Sequence, residues 1–98
     1  MANEELQARR YVVTGRVHGV GFRNYVEHVA GKIGVYGYVR NRRNGTVEVL
    51  AMGEPVQLGQ MRAALKKGPM MAHVSGVSEE PEQLEAKYLG QFTIEITI

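Results

Sequence analysis

Between Gly15 and Arg23 the chain reads Gly-Arg-Val-His-Gly-Val-Gly-Phe-Arg, a run whose residue types could hold an anion. Glycines let successive backbone N–H groups turn inward and form a nest for negative charge. An apolar helical stripe begins at Phe22, so the helix that follows would present its own unpaired N–H groups and a partial positive charge. Arg23 adds a planar guanidinium able to bind two phosphate oxygens at once. Arginine at a helix N-terminus runs against the preference of the dipole, and that placement argues for a ligand. Together these groups suit a phosphate or a carboxylate. Glycine is common in turns of every kind, so on this run alone a plain strand-to-helix turn stays open beside an anion site.

Other chemistries find little to work with. The chain has no cysteine, which excludes disulfides, thiolate metal sites and cysteine nucleophiles. His28 and His73 lack metal-ligand spacing and read as surface or strand residues. Met61, Met70 and Met71 read as core filler. No apolar run approaches the roughly 20 residues that span a bilayer, and the acidic start Met1 to Glu5 has no signal-peptide character, so no membrane partner and a cytoplasmic location are expected. Formal net charge is +2 with a pI of about 9.1, a mild excess that by itself implies no nucleic acid. With 98 residues, 44% hydrophobic and 22% charged, one domain over 1–98 with one modest core is expected.

Elements must position the loop. Residues 1–8 are polar and expected to be frayed. The β-branched and aromatic run from Arg9 to Val17 predicts a strand, which Gly19 and Gly21 stop. Phe22, Val26, Val29, Ala30 and Ile33 form one helical stripe, with Gly34 where a C-terminal cap belongs. Strands are predicted at 35–42 and 46–52, joined by a tight turn at Arg43-Asn44-Gly45 whose Asn-Gly supplies the positive φ angles of a hairpin. Pro55 opens a second amphipathic helix that Gly68-Pro69 ends. A short strand follows at 73–78, the acidic stretch 79–90 reads as a loop with a helical turn, and Phe92 to Ile98 alternates as a strand with one face buried.

The order β-α-β-β-α-β-β has the pattern of an α+β ferredoxin-like sandwich. It predicts an antiparallel sheet, two helices on one face and an additional C-terminal strand. In such a split unit strands one and two are parallel with strand three between them. Their C-terminal ends then bring the glycine loop and Arg23 to the same sheet edge as Arg40-Asn41-Arg42.

Here the residues become specific. Gly15 to Arg23 resembles the acylphosphatase signature, usually written G-x-V-Q-G-V-x-F-R. Gly37-Tyr38-Val39-Arg40-Asn41-Arg42-Arg43-Asn44-Gly45-Thr46-Val47 is similar to the family's second segment, G-[FWY]-V-[RK]-N-x-x-x-G-x-V. The likeness runs from about Tyr11 to Ile98. It implies hydrolysis of a small-molecule acyl phosphate to a carboxylate and inorganic phosphate, without metal or cofactor and as a monomer. It implies a phosphate-binding loop of Gly15, His18, Gly19, Val20, Gly21 and Phe22 with Arg23, the N–H groups of 18–22 joining that guanidinium on the phosphate, and Asn41 orienting the attacking water. The strand-end segments offer no Asp or Glu for Mg²⁺ and the loop offers no serine, which leaves positioning and electrostatics.

Departures from the pattern are few. His18 stands where the family has glutamine, and a brace through its ring is expected, since both side chains donate and accept hydrogen bonds. Tyr38 replaces a commoner tryptophan. Ile98 stands where a basic or aromatic residue is frequent and suggests packing. Arg40, Arg42 and Arg43 read as solvated, with at most a general attraction for anions, and Thr46 as a strand former. Two other readings share the topology. An RNA-binding module would need aromatics on the central strands, yet 46–52 has none and carries Glu48. A non-catalytic acylphosphatase-like module would not need Arg23 and Asn41.

Overall fold

A computed structural model describes residues 5–98. The elements, in chain order, are β1 (Gln7–Arg16), α1 (Phe22–Ile33), β2 (Tyr36–Asn41), β3 (Val47–Gly53), α2 (Pro55–Lys67), β4 (His73–Glu82), a 3₁₀ turn (Ala86–Tyr88) and β5 (Phe92–Ile94). They build one five-stranded sheet in the order β4-β1-β3-β2-β5. β1 pairs antiparallel with β3 and β4, and β2 antiparallel with β3, so β1 and β2 run the same way with β3 between them. β5 pairs parallel with β2, which makes the sheet mixed where an antiparallel one was expected. The ferredoxin-like α+β arrangement carries this fifth strand as an added edge.

Strand periodicity sorts the side chains into two layers. Tyr11, Val13, Val39, Val47 and Val49 face one side and are fully buried against Phe22, Val26 and Ala30 of α1 and Leu58, Met61 and Leu65 of α2. Both helices therefore lie on one face. On the other, Ala8, Tyr38, Leu50 and Met52 form a smaller cluster that Tyr88 of the 3₁₀ turn covers. Each helix is closed as its sequence prescribes: Gly34 caps α1 at φ 96°, and Pro55 opens α2 after Glu54, whose N–H donates to Gln57 Oε1 at 2.8 Å.

Several expectations need correction. The frayed stretch 1–8 is too long, because Gln7 and Ala8 belong to β1 and Ala8 is buried; residues 1–4 of that expectation lie outside the described ones. The run at 79–82 is strand, not loop. Glu80 and Glu82 sit across from Arg10 and Ala8 and reach Arg10 at 2.6 and 3.1 Å, while Glu79 meets Arg9 and Arg62. Acidic residues there are cross-strand partners of basic ones.

The last strand ends at Ile94, although backbone bonds continue along β2 from Glu95 N–H to Val39 and from Ile98 N–H to Asn41. Three residues then span two, so Ile96 bulges outward and is exposed, and the Ile98 side chain is exposed rather than packed. In the β2–β3 turn only Gly45 has positive φ, and its N–H bonds to Arg42, so a type I turn followed by a left-handed glycine replaces the Asn-Gly geometry expected. Met61 is core, but Met70 and Met71 are 96% and 65% exposed where the chain crosses from α2 to the sheet edge.

Candidate active site

The segment from Val17 to Gly21 links the end of β1 to α1. Val17 is buried and Val20 packs partly on the core, so both ends of the loop are anchored by apolar side chains. Gly19 and Gly21 take φ of 70° and 75°, while no other residue type among those described has positive φ. A Cβ at either glycine would meet nothing within 4 Å. Backbone hand, not crowding, is therefore what calls for glycine at these two positions. Residues of alternating hand aim successive N–H groups to one side, which is the geometry of an anion nest. Consistent with that, the N–H groups of His18 to Asn24 bond to no backbone carbonyl of the described residues.

Gly21 caps α1 without a side-chain bond, and no acidic residue occupies the first turn. The partial positive charge of the helix end is left unneutralised by the protein, and half-buried Arg23 adds a full charge beside it.

From the other direction comes Asn41, the last residue of β2. It pairs with Val47 in the ladder and stands on the same face as Val39, toward the helices. Loop and strand end meet at a cavity of about 230 Å³ lined by Val17, Gly19, Gly21, Phe22, Arg23, Asn24, Asn41 and Ile94. Asn41 Oδ1 is buried and has no hydrogen-bond partner among the described residues. Among the described residues, none that line this cavity carries a carboxylate, thiol, hydroxyl or imidazole. What it can do is bind an anion by N–H and guanidinium groups, and accept a hydrogen bond at one amide oxygen.

His18 does not line the cavity. Its Nε2 donates to the carbonyl of Thr46 at 2.8 Å, and the same carbonyl accepts the Arg42 N–H at 2.9 Å. One backbone oxygen thus ties the middle of the loop to the residue next to Asn41. The Thr46 side chain is occupied elsewhere, its hydroxyl donating to Asn44 Oδ1 at 2.7 Å.

Gly15 is not in the loop but in β1, at a bulge beside Thr14 with φ 121°, where a Cβ would collide with the His73 carbonyl of β4. Arg40 and Arg42 leave the site altogether. Their side chains lie on the opposite face against Glu48, so the expected attraction of anions by solvated arginines is corrected to an internal ion-pair network. Asn24 and Ile94 line the cavity without having been singled out. Asn24 follows Arg23 in the first helical turn, which places it by sequence. Ile94 could be placed only by knowing that β5 pairs with β2.

The acylphosphatase family pattern matches residues 9–94. An acylphosphatase of Koribacter versatilis is 49% identical over 94 residues, covering 96% of this chain and 84% of that protein. Among solved structures, the acylphosphatase from Bacillus subtilis superposes with a TM-score of 0.85 at 35% identity over 93% of this chain and 99% of that one. An acylphosphatase from Coxiella burnetii gives 0.87 at 30% identity over 97% and 100%. Agreement of this extent, in sequence and in fold, means that the chain belongs to the acylphosphatase family.

Proposed function

We propose that this enzyme hydrolyses acyl phosphates by holding the phosphoryl group in the 18–22 loop and aiming a water at it from Asn41. The N–H groups of His18 to Phe22 and the Arg23 fork bind the phosphoryl oxygens, where charge builds in the transition state. Asn41 Oδ1 accepts a hydrogen bond from the attacking water. The water oxygen bonds to phosphorus as the bond from phosphorus to the carboxyl oxygen breaks. Its proton passes to a phosphoryl oxygen, since an amide is no base, and the products are a carboxylate and dihydrogen phosphate. A carboxylate leaves readily, so positioning and electrostatics suffice.

The observation that carries this reading is the buried Oδ1 of Asn41, without a partner among the described residues, on the cavity that Arg23 also lines. The lining carries no carboxylate to hold Mg²⁺, so the proposed hydrolysis relies on the loop, Arg23 and Asn41 alone. A monomer is the matching state, because every group invoked comes from one chain. Tyr88 covering Leu50 and Met52 on the open sheet face argues against a base-stacking RNA surface. No helix among the described residues is long and apolar enough to cross a membrane.

Hydrolysis of benzoyl phosphate in the presence of EDTA tests the reading. Turnover well above the spontaneous rate is expected. Turnover at the spontaneous rate, or only after a divalent metal is restored, would sink it.

A further inference from the structure

Glu48 lies on the face of the sheet opposite the cavity. Among the described residues it is the one charged side chain that is buried, 5% exposed, and the chemistry proposed above makes no use of it. Its carboxylate is gripped by β2. Tyr38 donates its hydroxyl to Oε2 at 2.8 Å, and Arg40 donates Nε to Oε1 at 3.2 Å. Arg40 Nη2 stands 3.1 Å from Oε1 and Arg42 Nε 3.8 Å from it, while the Arg40 guanidinium lies 4.9 Å over the Tyr38 ring. Arg10 of β1 also feels Glu48, but it is itself engaged by Glu80 and Glu82 at 2.6 and 3.1 Å. A buried ion pair recovers its desolvation only with such full satisfaction, and an apolar side chain in its place is often as stable. Stability alone does not account for a carboxylate here.

Strand geometry suggests what does. Neighbouring residues of a strand point to opposite faces, so Arg40 and Arg42 flank Asn41 in the chain and stand on the other side of the sheet from it. Glu48 is the ladder partner of Arg40, as Val47 is of Asn41. One carboxylate therefore holds β2 on both sides of the residue that lines the cavity. Asn41 Oδ1 has no bond of its own among the described residues, so its aim follows from the backbone over 40–42.

We propose that Glu48 is a positioning residue for the hydrolysis. By clamping Arg40 and Arg42 on the reverse face, it fixes where the Asn41 amide points. This rests on the water-positioning role of Asn41 and adds to it a group that never touches substrate. Small misplacements of such an oxygen are enough to slow a reaction by one or two orders of magnitude.

The test is steady-state hydrolysis of benzoyl phosphate by Glu48→Gln in the full chain, alone and combined with Asn41→Ala. Inorganic phosphate serves as a competitive inhibitor, and thermal unfolding reports that each variant is folded. Glu48→Gln should lower kcat about tenfold while the inhibition constant for phosphate changes less than about twofold. In the Asn41→Ala background the same change should lower kcat no further, because the group it aims is gone. Arg42→Gln, which removes a half-exposed arm of the clamp, should show the same pattern more weakly and stands in if Glu48→Gln does not fold. The clamp is overturned by an unchanged kcat, by an equal loss in both backgrounds, or by phosphate affinity falling as far as kcat. A normal kcat in Asn41→Ala would instead sink the water-positioning role, so the two failures are told apart.

Discussion

An amide oxygen that bonds to no group of the fold adds little to its stability. Asn41 Oδ1 is buried on the cavity wall and has no hydrogen-bond partner among the described residues, so it is free to accept from a donor in the cavity. Asn41→Ala should therefore leave thermal stability about equal, while kcat on benzoyl phosphate drops on the order of a hundredfold. Wild-type turnover in that variant would remove water positioning from the account. Arg23 lines the same cavity, and the proposed binding uses its fork and not only its charge. Arg23→Lys should weaken inhibition by inorganic phosphate at least about tenfold, since an ammonium cannot take two oxygens in one plane; unchanged inhibition would refute bidentate binding. The His18 ring does not line the cavity. Its Nε2 donates to Thr46 O, a bond that a glutamine amide can also make. His18→Gln should retain most of kcat, whereas His18→Leu should lose roughly 1 kcal/mol of stability and slow turnover together. If the leucine variant matched wild type in both assays, the brace would be idle.

At the scale of elements, glycines that look alike in the sequence do different things. Gly15 lets β4 pass close to β1 at a bulge, and Gly19 lets the loop change hand in open space. Gly15→Ala meets both an unfavourable φ and the His73 carbonyl, so urea denaturation should show a loss of about 2–4 kcal/mol with phosphate affinity of the folded enzyme little changed. Gly19→Ala meets only the φ term, about 1–2 kcal/mol, and its effect should fall on phosphate affinity instead. The reverse assignment of the two effects would mean that the loop begins earlier than Val17.

The same contrast shows what a sequence makes legible. Helix α1 with its Gly34 cap, the loop glycines and a cation at Arg23 could be read because local chemistry specifies them, whereas the role of Asn41 entered only through the likeness of its segment to the family's second motif. The acidic run at 79–82 could not, since charges favour a strand only when Arg9 and Arg10 lie across from them, and that pairing joins residues some seventy positions apart. The run from Phe92 to Ile98 alternates without a fault, yet the regular strand ends at Ile94 and the bonds beyond it skip a register. Alternation states which side chains share a face, not whether anything covers that face. Glu48 was visible as a charge on a central strand, but its meaning depends on Tyr38 and Arg40 of β2 and Arg42 just beyond it gathering on the face away from the site.

For the molecule as a whole, three tyrosines knit the layers by donating a phenolic proton. Tyr11 joins the sheet to α2 through Leu58 O at 3.0 Å, Tyr25 joins α1 to α2 through Ala64 O at 2.8 Å, and Tyr38 joins β2 to β3 through Glu48 at 2.8 Å. Only the protonated phenol can make these bonds. Burial raises all three pKa values above the ordinary phenol range, with Glu79 adding to the effect at Tyr11 and Glu48 at Tyr38. In the unfolded chain each would ionise near pH 10. Below that pH both states hold the protons and these groups contribute no pH dependence. Above it the unfolded chain releases protons that the native state keeps, so stability must fall as pH rises, by up to about 1.4 kcal/mol per pH unit for each tyrosine. Because the bonds tie the two helices to each other and to the sheet, and β2 to β3 within it, the loss should appear as one cooperative transition and not as fraying of an edge. Urea unfolding followed between about pH 8 and about pH 11 should show a flat limb and then a steep decline. Tyr11→Phe should make that decline shallower by about one proton's share, because every other group is the same in the variant and cancels in the comparison. A Tyr11→Phe enzyme whose stability fell as steeply as the wild type above about pH 10 would show that the Tyr11 phenol is not what the native state protects.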